Sequence, residues 1–250
     1  MKNKLLSEFG ILPSNRNQMK ISYLENYAAL SQKAASIIAE EVKQKPALLF
    51  CAATGGSPTG MYAEMAKDKS IYTEMRVVKM DEWGIIPLSH PDSCETYLEK
   101  HLLEPLAIES NRYTTFDTQP QMAEAECERM NSFLKAVGAM DICILGLGKN
   151  GHIAFNEPAE TLHPEFHKAL LAESTIAHDP ALSQGSEPAY GLCVGMEGIM
   201  QSKKIIFLIT GKGKQDAVKR IMERKIGTDC PASFLWMHPN VECLIDNSAV

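Results

Sequence analysis

The feature that most limits how this chain can fold is an alternation of short apolar runs with segments of helical pattern. The runs are ALLFCAA (47–53), MRVVKM (75–80), DICILGLG (141–148), KKIIFLITG (203–211) and VECLID (241–246). Each has the length of a strand, and near-continuous hydrophobicity implies burial on both faces. Helical patterns fill the gaps: residues 22–44, a segment opening near Pro58, SCETYLEKHLLEPL (93–106), 120–137 and 213–225. Ser22 and Glu25 have capping-box spacing at the start of the first helix, Pro46 stops it, and Pro58 suits a first helical turn. Strands alternating with helices predict an α/β fold of three layers. A mostly parallel sheet carries helices on both faces, in a Rossmann-like single domain over residues 1–250. The chain is 45% hydrophobic over 250 residues, enough for one sizeable core, and it shows no repeat or flexible linker.

Charge and cysteine usage narrow the class of partner. The net charge of −6 and the lack of a lysine/arginine run exclude bulk attraction to nucleic acid or anionic membranes. An anionic ligand must then be held by a local site. No apolar run is long enough to span a bilayer. The N-terminal MKNKLLSEFGILPSNRNQ is interrupted by Glu8 and Pro13 and does not read as a signal peptide. The seven cysteines are odd in number and scattered, without a CxxC pair. They read as reduced core residues of a cytoplasmic protein.

In folds of this kind ligands sit beyond the carboxyl ends of the strands. The loops TGGSP, DEW, GKNGH and TGKGK all follow predicted strands, so they are expected to converge on one rim. In Thr54-Gly55-Gly56-Ser57-Pro58, glycines let backbone N–H groups approach an anion at a helix start, and Ser57 adds a hydroxyl. The loop is neither a Walker A motif nor a GxGxxG fingerprint, so no nucleotide is implied. Thr210-Gly211-Lys212-Gly213-Lys214 repeats the glycine-and-cation theme, although surface lysines on a turn would look the same. In Met80-Asp81-Glu82-Trp83, a carboxylate at a strand end suits either a general base or a turn cap. Glu82 reads as a solvated group and Trp83 as packing. In Gly146–Pro158, glycines clear space for a ligand beside His152, and Glu157 lies five residues on, close enough to orient the histidine. His163 and His167 are i,i+4, but Pro164 lies between them and no third ligand stands out, so no metal is expected. Phe234 and Trp236 of PASFLWMH read as core packing.

TGGSP, MDEW and GHIAFNEP together resemble the signatures of the glucosamine/galactosamine-6-phosphate isomerase (deaminase) family, a sister group of the 6-phosphogluconolactonases. The resemblance runs from about residue 20 to the C-terminus. KMDEW…PDSCETYLEKHLLEPL, GLGKNGH, TGKGKQDA and PASFLWMHPN are most similar to the galactosamine-6-phosphate isomerase branch. The resemblance implies aldose–ketose isomerisation with deamination, turning galactosamine 6-phosphate into tagatose 6-phosphate plus ammonia. It implies no cofactor, and an activity counted among hydrolases as well as isomerases. Asp81 matches the family base, His152 the ring-opening histidine and Glu157 its partner. Gly55, Gly56 and Ser57 match the phosphate loop, and Lys214 the phosphate lysine. Asn150 stands where some members carry an aspartate, which implies an altered pH response. The hexameric, allosteric members use an arginine after NEP, and this chain has none from 158 to 200. Members range from monomers to hexamers, which keeps a homo-oligomer within expectation. Three alternatives stay open: the gluco substrate giving fructose 6-phosphate, a 6-phosphogluconolactonase, and a non-enzymatic sugar-phosphate sensor.

Overall fold

The computed structural model describes residues 19–84, 86–117, 122–171 and 190–249. The sequence reading of the first 18 residues, and residues 120–121 of the expected 120–137 helix, lie outside that set. So does part of the arginine-free 158–200 stretch.

The described chain opens with a strand, β1 (Lys20–Leu24), and helix α1 (Tyr27–Gln44) follows. This corrects the expected helix from 22. Lys20–Leu24 pairs in parallel with the last strand, β10 (Val241–Asp246), and Lys20 bonds Glu242 at 3.0 Å. The open edge of β10 thus takes up backbone groups that a helix would otherwise satisfy. The true N-cap is Asn26, whose side chain accepts from Ala29 N–H at 3.0 Å. Leu30, Ala34, Ile38 and Val42 then form one buried stripe at i,i+4 spacing.

The expected strands are present, each trimmed by a residue or more except the last: β2 (Leu49–Ala52), β3 (Arg76–Lys79), β6 (Ile142–Gly146), β9 (Lys204–Ile209) and β10. With β1 and the short β5 (Tyr113–Thr114) they make a seven-stranded sheet ordered β1-β10-β9-β6-β2-β3-β5. All its pairings are parallel. Every residue of β2 is buried, so both faces of the central sheet are covered. The helices that flank the sheet include α2 (Gly56–Ala66), α5 (Ala123–Val137), α6 (Met196–Gln201) and α7 (Gln215–Met222). The 93–106 segment is helical as α3 (Cys94–Leu98), a π-helical stretch (Glu99–Leu103) and α4 (Glu104–Leu106).

From β2 the chain proceeds outward to β3 and β5, whereas from β6 it proceeds to β9 and β10 on the other side. β2 and β6 are neighbours, with Phe50 opposite Ile142 and Cys51 opposite Cys143. Their junction is therefore a topological switch point, where loops diverge and leave a crevice.

A second sheet was not visible in the sequence. β4 (Asp81–Trp83), β8 (Tyr190–Cys193) and β7 (His167–Leu170) form an antiparallel three-stranded sheet in the order β4-β8-β7. DEW is thus a strand and not the expected loop. Met80 is the seam between the sheets. Its N–H donates to Ala52 of the large sheet at 3.1 Å, and its carbonyl accepts from Val194 N–H at 3.0 Å.

The opposite rim is closed by charge. Asp141, buried just before β6, accepts from Lys45 Nζ at 2.7 Å, Lys203 Nζ at 2.7 Å and Leu49 N–H at 2.8 Å. Burial alone would raise its carboxyl, but the bonds from Lys203 and Lys45 hold it below the usual carboxylate range. All seven cysteines are buried and unbridged. Phe234 and Trp236 pack on the core as expected, and Trp236 Nε1 donates to Ile221 O at 2.7 Å.

Candidate active site

A cavity of about 360 Å³ opens at the switch point. It is lined by the loop after β2 (residues 53–57), by Met80, Asp81 and Trp83, by the loop after β6 (residues 146–155), and by Lys214 after β9. The structure thereby brings Asp81, Asn150, His152, Gly55, Gly56, Ser57 and Lys214 to one space. Glu157 stands behind His152 in direct contact with it.

Asp81 and Glu82 are neighbours on β4 with opposite circumstances. Glu82 has no exposed surface and its carboxylate is saturated. One oxygen accepts from Trp83 N–H at 2.8 Å and Cys94 N–H at 2.9 Å. The other accepts from Glu95 N–H at 2.8 Å and Lys79 Nζ at 2.5 Å. Glu82 therefore caps the start of α3, which corrects its reading as a solvated group. Lys79, also buried, bridges Glu82 to Glu95, and Glu95 accepts further from Tyr113 Oη at 2.9 Å and Thr115 Oγ1 at 2.6 Å. Asp81 is also buried, yet its Oδ1 has no hydrogen-bond partner among the described residues. Burial, helped by the nearby Glu82 charge and opposed by Lys79, pushes its carboxyl up to about 7. A buried carboxylate facing a cavity without a partner is poised to exchange a proton near neutrality.

Across the cavity the loop after β6 is tightly braced. Gly148 N–H donates to His152 O at 2.9 Å, and Gly151 turns at φ +94°. A Cβ on Gly148 would lie 2.4 Å from three atoms of the His152 ring, so glycine there gives the imidazole its resting place. His152 Nδ1 meets Glu157 Oε2 at 3.2 Å. Asn150 ties the group together through the His152 backbone and the Glu157 carboxylate. Its Oδ1 accepts from His152 backbone N–H at 3.1 Å, and its Nδ2 donates to Glu157 Oε2 at 2.7 Å. Nε2 of His152 is the ring nitrogen that Glu157 does not engage.

The remaining end of the cavity suits an anion. α2 starts at Gly55, which has φ +92° and gives no side-chain cap, so the first N–H groups of the helix are left for a ligand. Tyr97 Oη and Thr59 Oγ1 hold the Gly55 carbonyl at 2.7 and 3.0 Å, and Tyr27 Oη holds that of Gly56 at 2.6 Å. Ser57 Oγ lies 2.8 Å from Thr210 Oγ1. Lys214 Nζ donates to Leu147 O, and burial lowers its pKa.

Sequence reasoning passed over several contributors. Phe155 stacks on Trp83 with ring centroids 4.4 Å apart, and a Cβ on Gly191 would lie 2.4 Å from the Phe155 ring. The histidine loop is thereby packed against the small sheet. An aromatic residue three positions after His152 was the available signal. His163 and His167 stack on each other at 4.4 Å, and burial lowers His167 to about 4.

Comparison with known proteins matches this geometry to a family. The model described as glucosamine-6-phosphate isomerases/6-phosphogluconolactonase matches residues 25–244. A protein of Escherichia coli (strain K12) named "Putative deaminase AgaI" is 36% identical over 230 residues, covering 90% of this chain and 91% of that protein. The glucosamine-6-phosphate deaminase of Clostridium perfringens (strain 13 / Type A) is 32% identical over 237 residues, 92% of this chain and 98% of the other. Among solved structures, a monomeric glucosamine-6-phosphate deaminase superposes with a TM-score of 0.86 at 33% identity, covering 92% of this chain and 98% of that one. No helix among the described residues is long and apolar enough to cross a membrane. The expected hydrolase class is corrected by these matches, because the relatives are named as deaminases and the family as isomerases. The chain belongs to the glucosamine-6-phosphate isomerase/6-phosphogluconolactonase family, as an enzyme of its isomerase and deaminase side.

Proposed function

We propose that this enzyme converts galactosamine 6-phosphate into tagatose 6-phosphate and ammonia, by aldose–ketose isomerisation coupled to deamination. One observation carries the reading. Asp81, a buried carboxylate whose Oδ1 has no partner among the described residues, shares a cavity with a braced histidine and with an uncapped helix start. Isomerisation of an amino sugar requires a carbon-bound proton to move from C2 to C1, and a base of this kind serves that step. The galacto assignment is supported by the resemblance of the segments around Asp81, Lys149 and Lys214 to that branch.

His152, held by Glu157 and by Asn150, moves a proton onto the ring oxygen and opens the pyranose. Asp81 takes the C2 proton and returns it to C1 through an enolamine. Water replaces ammonia at C2, and the ketose phosphate remains. Gly55, Gly56, Ser57 and Lys214 hold the phosphate, remote from the reacting carbons, and so fix their geometry. These residues need neither a metal nor a nucleotide for the sequence of steps.

An ammonia-release assay comparing galactosamine 6-phosphate with glucosamine 6-phosphate tests the proposal. Faster release from the galacto sugar is expected. Preference for the gluco sugar, the substrate in the names of several relatives, would reassign the epimer. Inertness on both would end the deaminase reading.

A further inference from the structure

We propose that Lys149 is a second cation of the anion-binding end of this cavity, acting with Lys214 to select a dianionic phosphate group. The inference rests on the reading that the cavity takes a sugar phosphate, and it assigns the residue that sets the charge of the group bound.

Lys149 lies two residues beyond Leu147, whose carbonyl accepts from Lys214 Nζ, and both lysines line the cavity. The Lys149 side chain runs along the turn that carries Lys214. A Cβ on Gly213 would sit 3.5 Å from Lys149 Cε and 3.9 Å from its Cδ. Those are van der Waals distances, and Gly213 itself holds φ +80°, a turn conformation that favours glycine. After burial, the Lys149 charge is what depresses the Lys214 ammonium, which reports that the two charges feel each other. Among the described residues, no carboxylate forms an ion pair with Lys214.

Two cations held together raise the free energy of the empty site, and a doubly charged ligand relieves that repulsion. Both share the cavity with the uncapped start of α2, and the Ser57 and Thr210 hydroxyls meet at 2.8 Å between the loops. The loops after β2, β6 and β9 therefore each contribute a different donor: helix N–H groups, Lys149 and Lys214. Lys149 is exposed, so its replacement leaves the core intact.

The test replaces Lys149 with Ala and with Arg. Lys149→Ala is expected to raise KM for the sugar phosphate roughly tenfold, with kcat within about twofold of the parent. Inhibition by inorganic phosphate should weaken in parallel, and Lys149→Arg should restore most of both. A KM and a phosphate inhibition constant within about twofold of the parent in Lys149→Ala would overturn the proposal. Calorimetric binding of inorganic phosphate separates this outcome from failure of the functional reading. If the parent turns over neither amino-sugar phosphate but binds phosphate, weaker binding by Lys149→Ala still supports the second cation. A parent that binds no phosphate, or a variant that binds equally well, refutes it.

Discussion

Two buried aspartates mark opposite rims of the large sheet, Asp141 just before β6 and Asp81 on β4 beyond the end of β3, and their contrast separates the structural rim from the chemical one. Asp141 accepts from two lysines and a backbone N–H, and its carboxyl is held low. Asp81 has an oxygen without a partner among the described residues, and its carboxyl is pushed up to about 7. Burial acts on both in the same direction. Partners alone decide which one stays ionised as a clamp and which one is left free to trade a proton.

The contrast breaks most visibly at Asp81. Asp81→Asn should lower kcat by about 10³-fold or more while leaving KM near its parent value, because the phosphate end is untouched. A fully active variant would remove Asp81 from the base role. The same change should stabilise the fold. A raised carboxyl contributes stability below its unfolded value, and that contribution is lost as pH rises through the folded value of about 7. The thermal advantage of Asp81→Asn should therefore grow from about pH 4 to pH 7 and then level off, with a ceiling on the order of 4 kcal/mol. Denaturation across that range checks it. In the parent, kcat/KM should rise with pH and flatten near 7, since only the ionised carboxylate accepts the C2 proton.

Next in size is Gly148→Ala, which forces a methyl group against the imidazole facing Asp81. A loss of about 10²-fold in kcat is expected from displacing His152, with little change in phosphate binding. At Asp141 the expected pattern reverses. Asp141→Asn should cost about 1–2 kcal/mol in denaturant unfolding and leave kcat unchanged. A lowered carboxyl stabilises above its unfolded value, so the deficit should shrink as pH falls through the folded value. Loss of activity in Asp141→Asn at full stability would dissolve the division between rims.

The smallest effect belongs to Asn150→Asp. It replaces an amide N–H that bonds Glu157 at 2.7 Å with a second carboxylate oxygen. The two acids would then titrate as a pair, and a displaced limb of the pH–rate profile with a few-fold change in maximum is expected. An unaltered profile would mean that Asn150 acts only through the His152 backbone.

The large sheet was legible because buried parallel strands write themselves as continuous apolar runs, and because glycines mark where loops leave them. The loops of the site were legible for the same reason: those after β2, β6 and β9 follow such runs, whereas DEW is the strand β4. The segments KISYL, DEW, HKAL and YGLC carry polar residues or glycine in place of such a run. β1, β4, β7 and β8 owe their existence to pairing with distant segments, Lys20 with Glu242 and Asp81 with Cys193 among them. Glu82 looked solvated because its four donors come from Lys79, Trp83 and a helix start that only the folded chain brings near. Asn150 is similar: the resemblance marked it only as a position where some members carry an aspartate, whereas the turn delivers it to the His152 backbone and to Glu157.

Met80 divides its hydrogen bonds between the two sheets, so Asp81 and His152 are mounted on separate elements that meet at Met80, at the Trp83–Phe155 stack, and where Phe155 N–H and Asn156 Nδ2 donate to Cys193 Sγ and Val194 O. The gap between proton acceptor and ring opener is then a property of how those elements abut. Substitutions in the stack or beneath it, at Gly191 for instance, would reset the jaw width for a different stereoisomer without disturbing either set of reactive groups. Substrate preference in such a scaffold can drift through packing alone.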